Sequence, residues 1–262
     1  MAKRSGIGEA LKLAPRCQAQ DLESCLEIMK RLLLIALFLV ASAARAAPID
    51  DAAAANARGD YAAELRITRP LAEKGEAWAQ YFLGFSYRNG EGVPKNDAEA
   101  VKWYRLAAAQ GHAKAQYNLG AMYDFGQGVA QNKTEAAKWY RLAAAQRNAE
   151  AQNSLGALYS NGHGVVQDYA EAVKWYKLAA AEGYSGAHHN LGTMYRDGQG
   201  VVRDYVRAHM WFNLAAVKGD GTISTILAVN NRDVVASKMT PQQIGEAQKL
   251  ARECQARAFK GC

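Results

Sequence analysis

Cysteine is scarce, with four in 262 residues. Cys17 and Cys25 stand near the N-terminus and Cys254 and Cys262 at the C-terminal end, with none between. A ladder of cysteine pairs is thereby excluded. The five histidines, His112, His163, His188, His189 and His209, form neither H-E-x-x-H nor another metal-ligand spacing. No metal or other cofactor is expected. The S-x-x-K and K-T-G motifs that a serine β-lactamase needs are missing. Long apolar runs are missing too. The one from Leu32 to Val40 is too short to span a bilayer as a stable helix.

That run has its own meaning. Lys30 and Arg31 precede it, and Ala44-Arg45-Ala46 follows in the A-x-A pattern. Residues 29–46 therefore read as a secretory signal peptide, with cleavage expected after Ala46. Met29 is the expected start, and residues 1–28 an upstream extension; an unusually long charged leader is the other reading. No cysteine stands at the cleavage site, so no lipid anchor is signalled. The mature chain is expected to be soluble, in the periplasm or secreted.

Charge of one sign is also modest once the leader is removed. The formal charge of the whole chain is +7. Residues 1–46 hold seven basic and four acidic residues, leaving 25 and 21, a net of +4. That gives no case for nucleic acid as a partner. In an exported chain the even pair Cys254 and Cys262 suggests one disulfide; free or intermolecular thiols are the alternative.

What the chain has in abundance is repetition. Segments starting at Gly75, Gly111, Arg147 and Gly183 align without gaps at 36 residues. Leu83, Leu119, Leu155 and Leu191 recur, each followed by glycine. Tyr87, Tyr123, Tyr159 and Tyr195 recur, as do Trp103, Trp139, Trp175 and Trp211. A G-x-G-V turn recurs at Gly90, Gly126, Gly162 and Gly198.

Each unit reads as two helices. Helix A of the first unit runs from about Ala77 to Arg88, with Ala79, Leu83, Gly84 and Tyr87 on one face. Glycine at position 84 suggests that another helix backbone approaches there. The turn glycines end helix A, and the valine after them plugs the gap between helices. Helices flank every G-x-G turn, so these are not phosphate-binding loops. Asn96, Asn132, Asp168 and Asp204 fall where an N-cap of helix B belongs. Helix B carries A-x-x-W-Y/F-x-L-A-A, with Trp103 and Leu106 on one face.

The ends depart from the pattern. Residues 47–59 read as linker, and residues 60–73 as an orphan helix B that caps the N-terminal end of the array. Residues 219–262 read as a closing helix pair, Ile223–Ala236 and Pro241–Ala256. Thr240 caps the second, with Pro241 at its first position. The four full units are then 75–110, 111–146, 147–182 and 183–218.

The run A-x-A-Q-x-x-L-G-x-x-Y, G-x-G-V, then A-x-K-W-Y-R-L-A-A resembles the Sel-one-like repeat (SLR), a relative of the tetratricopeptide repeat. The resemblance covers residues 59–218. It implies an all-α fold, an α-solenoid of antiparallel helix pairs in a right-handed superhelix. It also implies a concave face that binds protein partners. Some cysteine-rich family members are described as β-lactamases, and their regular cysteine pairs are missing here.

Candidate site residues are those that vary between units on one face of helix A. Trp78, Phe82 and Phe85 share a face at i, i+4 and i+7. The same places hold Lys114, Asn118 and Ala121, then Glu150, Ser154 and Ala157, then Gly186, Asn190 and Thr193. The aromatics either anchor a partner peptide or fill the junction with the orphan helix. The expected function is a non-enzymatic exported scaffold that binds a protein or peptide partner, such as a membrane sensor, an envelope enzyme or a host protein. The alternative is a cell-wall-active or β-lactamase-like enzyme with a site at an atypical end of the stack.

Overall fold

The computed structural model describes residues 30–31, 48–217 and 223–262. Apart from Lys30 and Arg31, the leader, its cleavage site and the start lie outside the described residues. The chain divides into two compact units, residues 1–67 and 68–262.

In the first unit, helix α1 spans residues 48–57 and buries Ala52 and Ala55. The expected linker is thus largely helical. Its alanines have the highest intrinsic helix preference, which acts without any repeat signal. Helix α2, Tyr61–Glu73, follows and crosses into the second unit. The Asp60 carboxylate accepts from the Ala63 N–H at its start.

The rest is an array of helix pairs. Helices α3 (Ala77–Asn89) and α4 (Asp97–Ala109) form unit one, α5 (Ala113–Phe125) and α6 (Lys133–Ala145) unit two. Helices α7 (Ala149–Asn161) and α8 (Tyr169–Ala181) form unit three, α9 (Ser185–Asp197) and α10 (Tyr205–Ala216) unit four. Helices α11 (Ile223–Ala236) and α12 (Pro241–Ala256) end the chain. Each A helix packs most extensively on its own B helix, and each B helix on the next A helix.

The local chemistry sets these boundaries. Gly90, Gly126, Gly162 and Gly198 end the A helices in the left-handed conformation. Asn96, Asn132, Asp168 and Asp204 cap the B helices, each accepting from the backbone N–H three residues on. The N–H of each cap residue in turn donates to the carbonyl of the recurring tyrosine, Asn132 to Tyr123 at 2.8 Å for example. That bond closes the loop into a fixed bend.

Inside a pair the recurring glycine meets a ring, not a backbone. A Cβ on Gly120 would lie 2.7 Å from the Tyr140 ring. Gly84, Gly156 and Gly192 receive Tyr104, Tyr176 and Phe212 in the same way. The expected backbone approach occurs instead at the second turn glycine. A Cβ on Gly164 would lie 2.3 Å from the Lys133 carbonyl carbon of the preceding unit. Gly128 and Gly200 meet Asp97 and Tyr169 alike. The helix B ring after each recurring tryptophan, Tyr104, Tyr140, Tyr176 or Phe212, is accordingly buried. Burying such a ring contributes roughly 2 kcal/mol. Trp103, Trp139 and Trp175 are half-buried, while Leu106 remains 48% exposed. The reason is angular: tryptophan and leucine lie to one side of the tyrosine that faces the partner helix.

Between units, a glutamine of each A helix reaches back eight residues. Gln80, Gln116 and Gln152 donate to the carbonyls of Ala72, Ala108 and Ala144, and the His188 ring nitrogen lies 3.2 Å from the Ala180 carbonyl. Gln110 and Gln146 donate to the side-chain oxygens of Gln80 and Gln116. The next place in that row holds Glu182, which has no amide proton to give. Its carboxylate takes Arg147 instead, at 2.8 Å, and the Gln152 Oε1 is buried without a partner. Arg147 itself stands where other units have glycine, with φ at 63°. Replacing both, Arg147→Gly with Glu182→Gln, removes left-handed strain and supplies the missing donor. The exposed ion pair lost is worth at most ~1 kcal/mol. The double variant is expected to gain about 1–2 kcal/mol, read from its urea midpoint.

The C-terminal end closes differently from a fifth pair. Helix α11 lies against α9 and α10, but α12 turns back onto α10 rather than pairing with α11. Thr240 and Gln243 form a reciprocal capping box at its start. Its buried residues are Ala247, Ala251 and Cys254. Cys254 and Cys262 are joined as a disulfide, with Cα atoms 5.6 Å apart. This bridge suits an oxidising compartment. Among the described residues no helix is long and apolar enough to cross a membrane.

Candidate functional site: the varying face of the A helices

The alanine, leucine and glycine core positions of the A helices, Ala79, Leu83 and Gly84 in unit one, are the same from unit to unit, whereas the buried place of Ser86 holds Met122, Leu158 and Met194 and the remaining faces differ as well. Trp78 and Phe82 are half-buried and meet edge to face at 6.1 Å. Phe85 is also half-buried, but it packs against the core cluster around Tyr104, as does Tyr81. Trp78 and Phe82 belong to no such cluster. The three aromatics therefore separate into a half-buried pair, of which Phe82 also meets Tyr81 edge to face at 5.5 Å, and a residue packed on the core cluster. Ala121, at the place of Phe85, is likewise buried in the next cluster. The i+7 place faces the seam between units.

Further along, Lys114 and Glu150 are exposed, and Ser154 and Asn190 are half-buried. Asn118 is buried, and its side-chain oxygen accepts from Arg88 of unit one at 3.2 Å. Asn190 donates to Asn153 of unit three at 2.9 Å. Asn231 of α11 lies 3.1 Å from the His189 ring and accepts from Arg196. These polar links run from unit to unit along the A helices. They were not foreseen, although the asparagines at these places are a visible signal.

The electrostatics of the face and of the B helices behind it follow from burial. Burial pushes the hydroxyls of Tyr81, Tyr104, Tyr117 and Tyr140 up, and that of Tyr176 up to about 12. Arg88 opposes the rise at Tyr81 and Tyr104. These groups stay protonated at neutral pH, as donors rather than nucleophiles. Burial holds His112, His189 and His209 below the usual imidazole range. Asp124 accepts from Lys133 at 2.5 Å and from the Tyr140 hydroxyl at 3.3 Å, an internal tie across unit two. Among the described residues no three His, Cys, Asp or Glu side chains gather as a metal ion requires. What the face offers is shape, aromatic edge and hydrogen bonding.

Comparison with known proteins places this arrangement. The Sel1 repeat matches four times, at residues 79–112, 113–148, 149–184 and 185–220. A Sel1 repeat protein from Oxalobacter formigenes is 35% identical, over 79% of this chain and 76% of that one, with a TM-score of 0.59. A protective antigen present in uropathogenic Escherichia coli strains, displaying an SLR fold, is 29% identical. That match covers 75% of this chain and 50% of the antigen, with a TM-score of 0.50. No curated protein matches. With four consecutive repeats in one uninterrupted array, the chain belongs to the Sel1 repeat family.

Proposed function

We propose that this chain is an exported, non-enzymatic scaffold that binds a protein or peptide partner on the face formed by its A helices. The observation that carries the reading is the split between constant and varying positions. Leu83, Leu119, Leu155 and Leu191 are buried and identical. Phe82, Asn118, Ser154 and Asn190, one residue before them, all differ in size or chemistry except the two asparagines. Packing accounts for the first set; of the second, Asn118 and Asn190 are tied to the neighbouring unit, which leaves the places of Phe82 and Ser154 for recognition. Trp78 and Phe82 supply large apolar area with few rotors, as interface anchors do.

The test is a Trp78→Ala/Phe82→Ala double variant of the chain beginning at Ala47, used as bait in an envelope extract. Loss of the captured partner is expected, with a melting temperature within a few degrees of the parent. A large fall in melting temperature would assign the two rings to packing at the N-terminal end of the array. Capture of only lipid or glycan would count against the scaffold reading.

A further inference from the structure

The C-terminal tail rests on unit four in a way that reveals a second, separate surface. Phe259 meets the His188 ring at 5.0 Å in a tilted arrangement, and its ring edge lies 3.4 Å from where a Cβ on Gly183 would be. Lys177, Ala181 and Trp211 border the same spot, around a cavity of about 260 Å3. The tail reaches it by an unusual path. Ala258 and Phe259 have φ values of 49° and 64°, in the left-handed region that non-glycine residues avoid. The Cys254–Cys262 bridge spans that turn.

Gly183 opens unit four, and its equivalents are Gly75, Gly111 and Arg147. At Gly75 and Gly111 nothing lies within 4 Å of the corresponding Cβ position. The walls of the seat recur as well. By the repeat register Trp139 and Arg105 are the equivalents of Trp211 and Lys177. Gln116 replaces His188 and accepts from Gln146. Trp139 is half-buried, where Trp211, beside the tail, is 2% exposed. Unit three is different, because Arg147 fills the place with a side chain paired to Glu182.

We infer that the seats at Gly75 and Gly111 are open copies of the Phe259 seat. Each accepts an aromatic side chain carried on a turn of a partner polypeptide. Phe259 is the internal example of the occupant, and Arg147 the internal example of a closed seat. The contact is continuous with one the chain already makes on itself. It does not rest on the A-helix face, since Gly111 and Trp139 are not part of the varying positions there.

The probe is a synthetic peptide of residues 252–262 with its own disulfide, titrated into the full chain beginning at Ala47. Tryptophan fluorescence and calorimetry are read together. Saturable binding is expected, with two peptides per chain from the two open glycine seats. The same peptide with Phe259→Ala should bind about tenfold more weakly or not at all. Gly111→Arg, which copies the natural Arg147, should remove one of the two sites, and Arg147→Gly should add one. If Gly111→Arg loses helix content, the Arg147→Gly gain carries the test. Equal binding of the Phe259→Ala peptide, or a stoichiometry unmoved by both variants, overturns the inference. So does a dimer of the free chain that Phe259→Ala in the chain abolishes, since the occupant would then be a second copy's tail.

Discussion

Gly164→Ala is expected to cost the array about 3–5 kcal/mol, as much as the equivalent change at Gly128 or Gly200. Two effects coincide at this residue. Its φ of 72° is costly for an L side chain, and the added Cβ would fall 2.4 Å from the Lys133 carbonyl oxygen and 2.6 Å from the Thr134 nitrogen. Neither atom can move aside, because both belong to the first turn of α6. The loop of unit three must then lift off unit two. Stability in a repeat array is a sum of unit and nearest-neighbour contributions, so a broken central seam also divides the unfolding. Urea denaturation followed by circular dichroism should show a lowered first midpoint and two transitions in place of one. Gly162→Ala is the control. It has the same handedness, φ 67°, but its Cβ would meet Gln167 no closer than 3.1 Å at the side chain and 3.5 Å at the backbone nitrogen. A cost of about 1 kcal/mol is expected there. If the two variants prove equally stable, close backbone approach is not what the second turn glycine provides.

Met210→Lys should free helix α12, at a cost of about 3 kcal/mol. Position 210 aligns with Lys102, Lys138 and Lys174, which are exposed and pair with Glu99, Glu135 and Glu171. In unit four the lysine is replaced by a methionine that is 5% exposed, in a groove shared with Leu250 and Cys254 of α12. The acidic partner is replaced as well, by Arg207. A lysine restored here would be buried beside a like charge. The chain's cheapest response is to undock α12, so the loss is capped by the docking free energy of that helix. Hydrogen exchange should quicken across residues 241–256 and remain slow in α5 to α8. The reverse change, Lys174→Met, touches only an exposed pair and should alter stability by less than about 0.5 kcal/mol. Unchanged exchange in α12 would show that Met210 does not hold it.

Most of the fold is legible because the signals are local and repeated. Capping by Asn96 or Asp168 needs only the side chain and the next turn. The left-handed stop at Gly126 needs only the absence of a Cβ. The ends of α11 and α12 are visible for the same reason, through Thr240 and Pro241. The Cys254–Cys262 pair follows from parity and compartment. Helix α1 has no repeat signal, and only its alanines give it away.

The candidate face is less legible. A helical wheel places Phe85 with Trp78 and Phe82, but it cannot say where the neighbouring unit stands. The neighbour covers the i+7 place and, through Arg88 on Asn118 and Asn153 on Asn190, also engages the i+4 place of units two and four. The role of Gly120 is hidden in the same way. Its need for space is visible, while the visitor, Tyr140, lies twenty residues away in sequence. The Phe259 seat is further still from local reach, since Gly183, His188 and Trp211 meet the tail only after α12 has folded back.

The 36-residue unit, its helix boundaries and its caps are determined by the sequence alone, because each depends on bonds within a few residues. Which faces remain open was decided only by tertiary structure. Burial is a property of neighbours, and here every unit has the same internal chemistry but not the same neighbour. Unit four has α12 and a tail, unit three has Arg147, and units one and two have free space at Gly75 and Gly111.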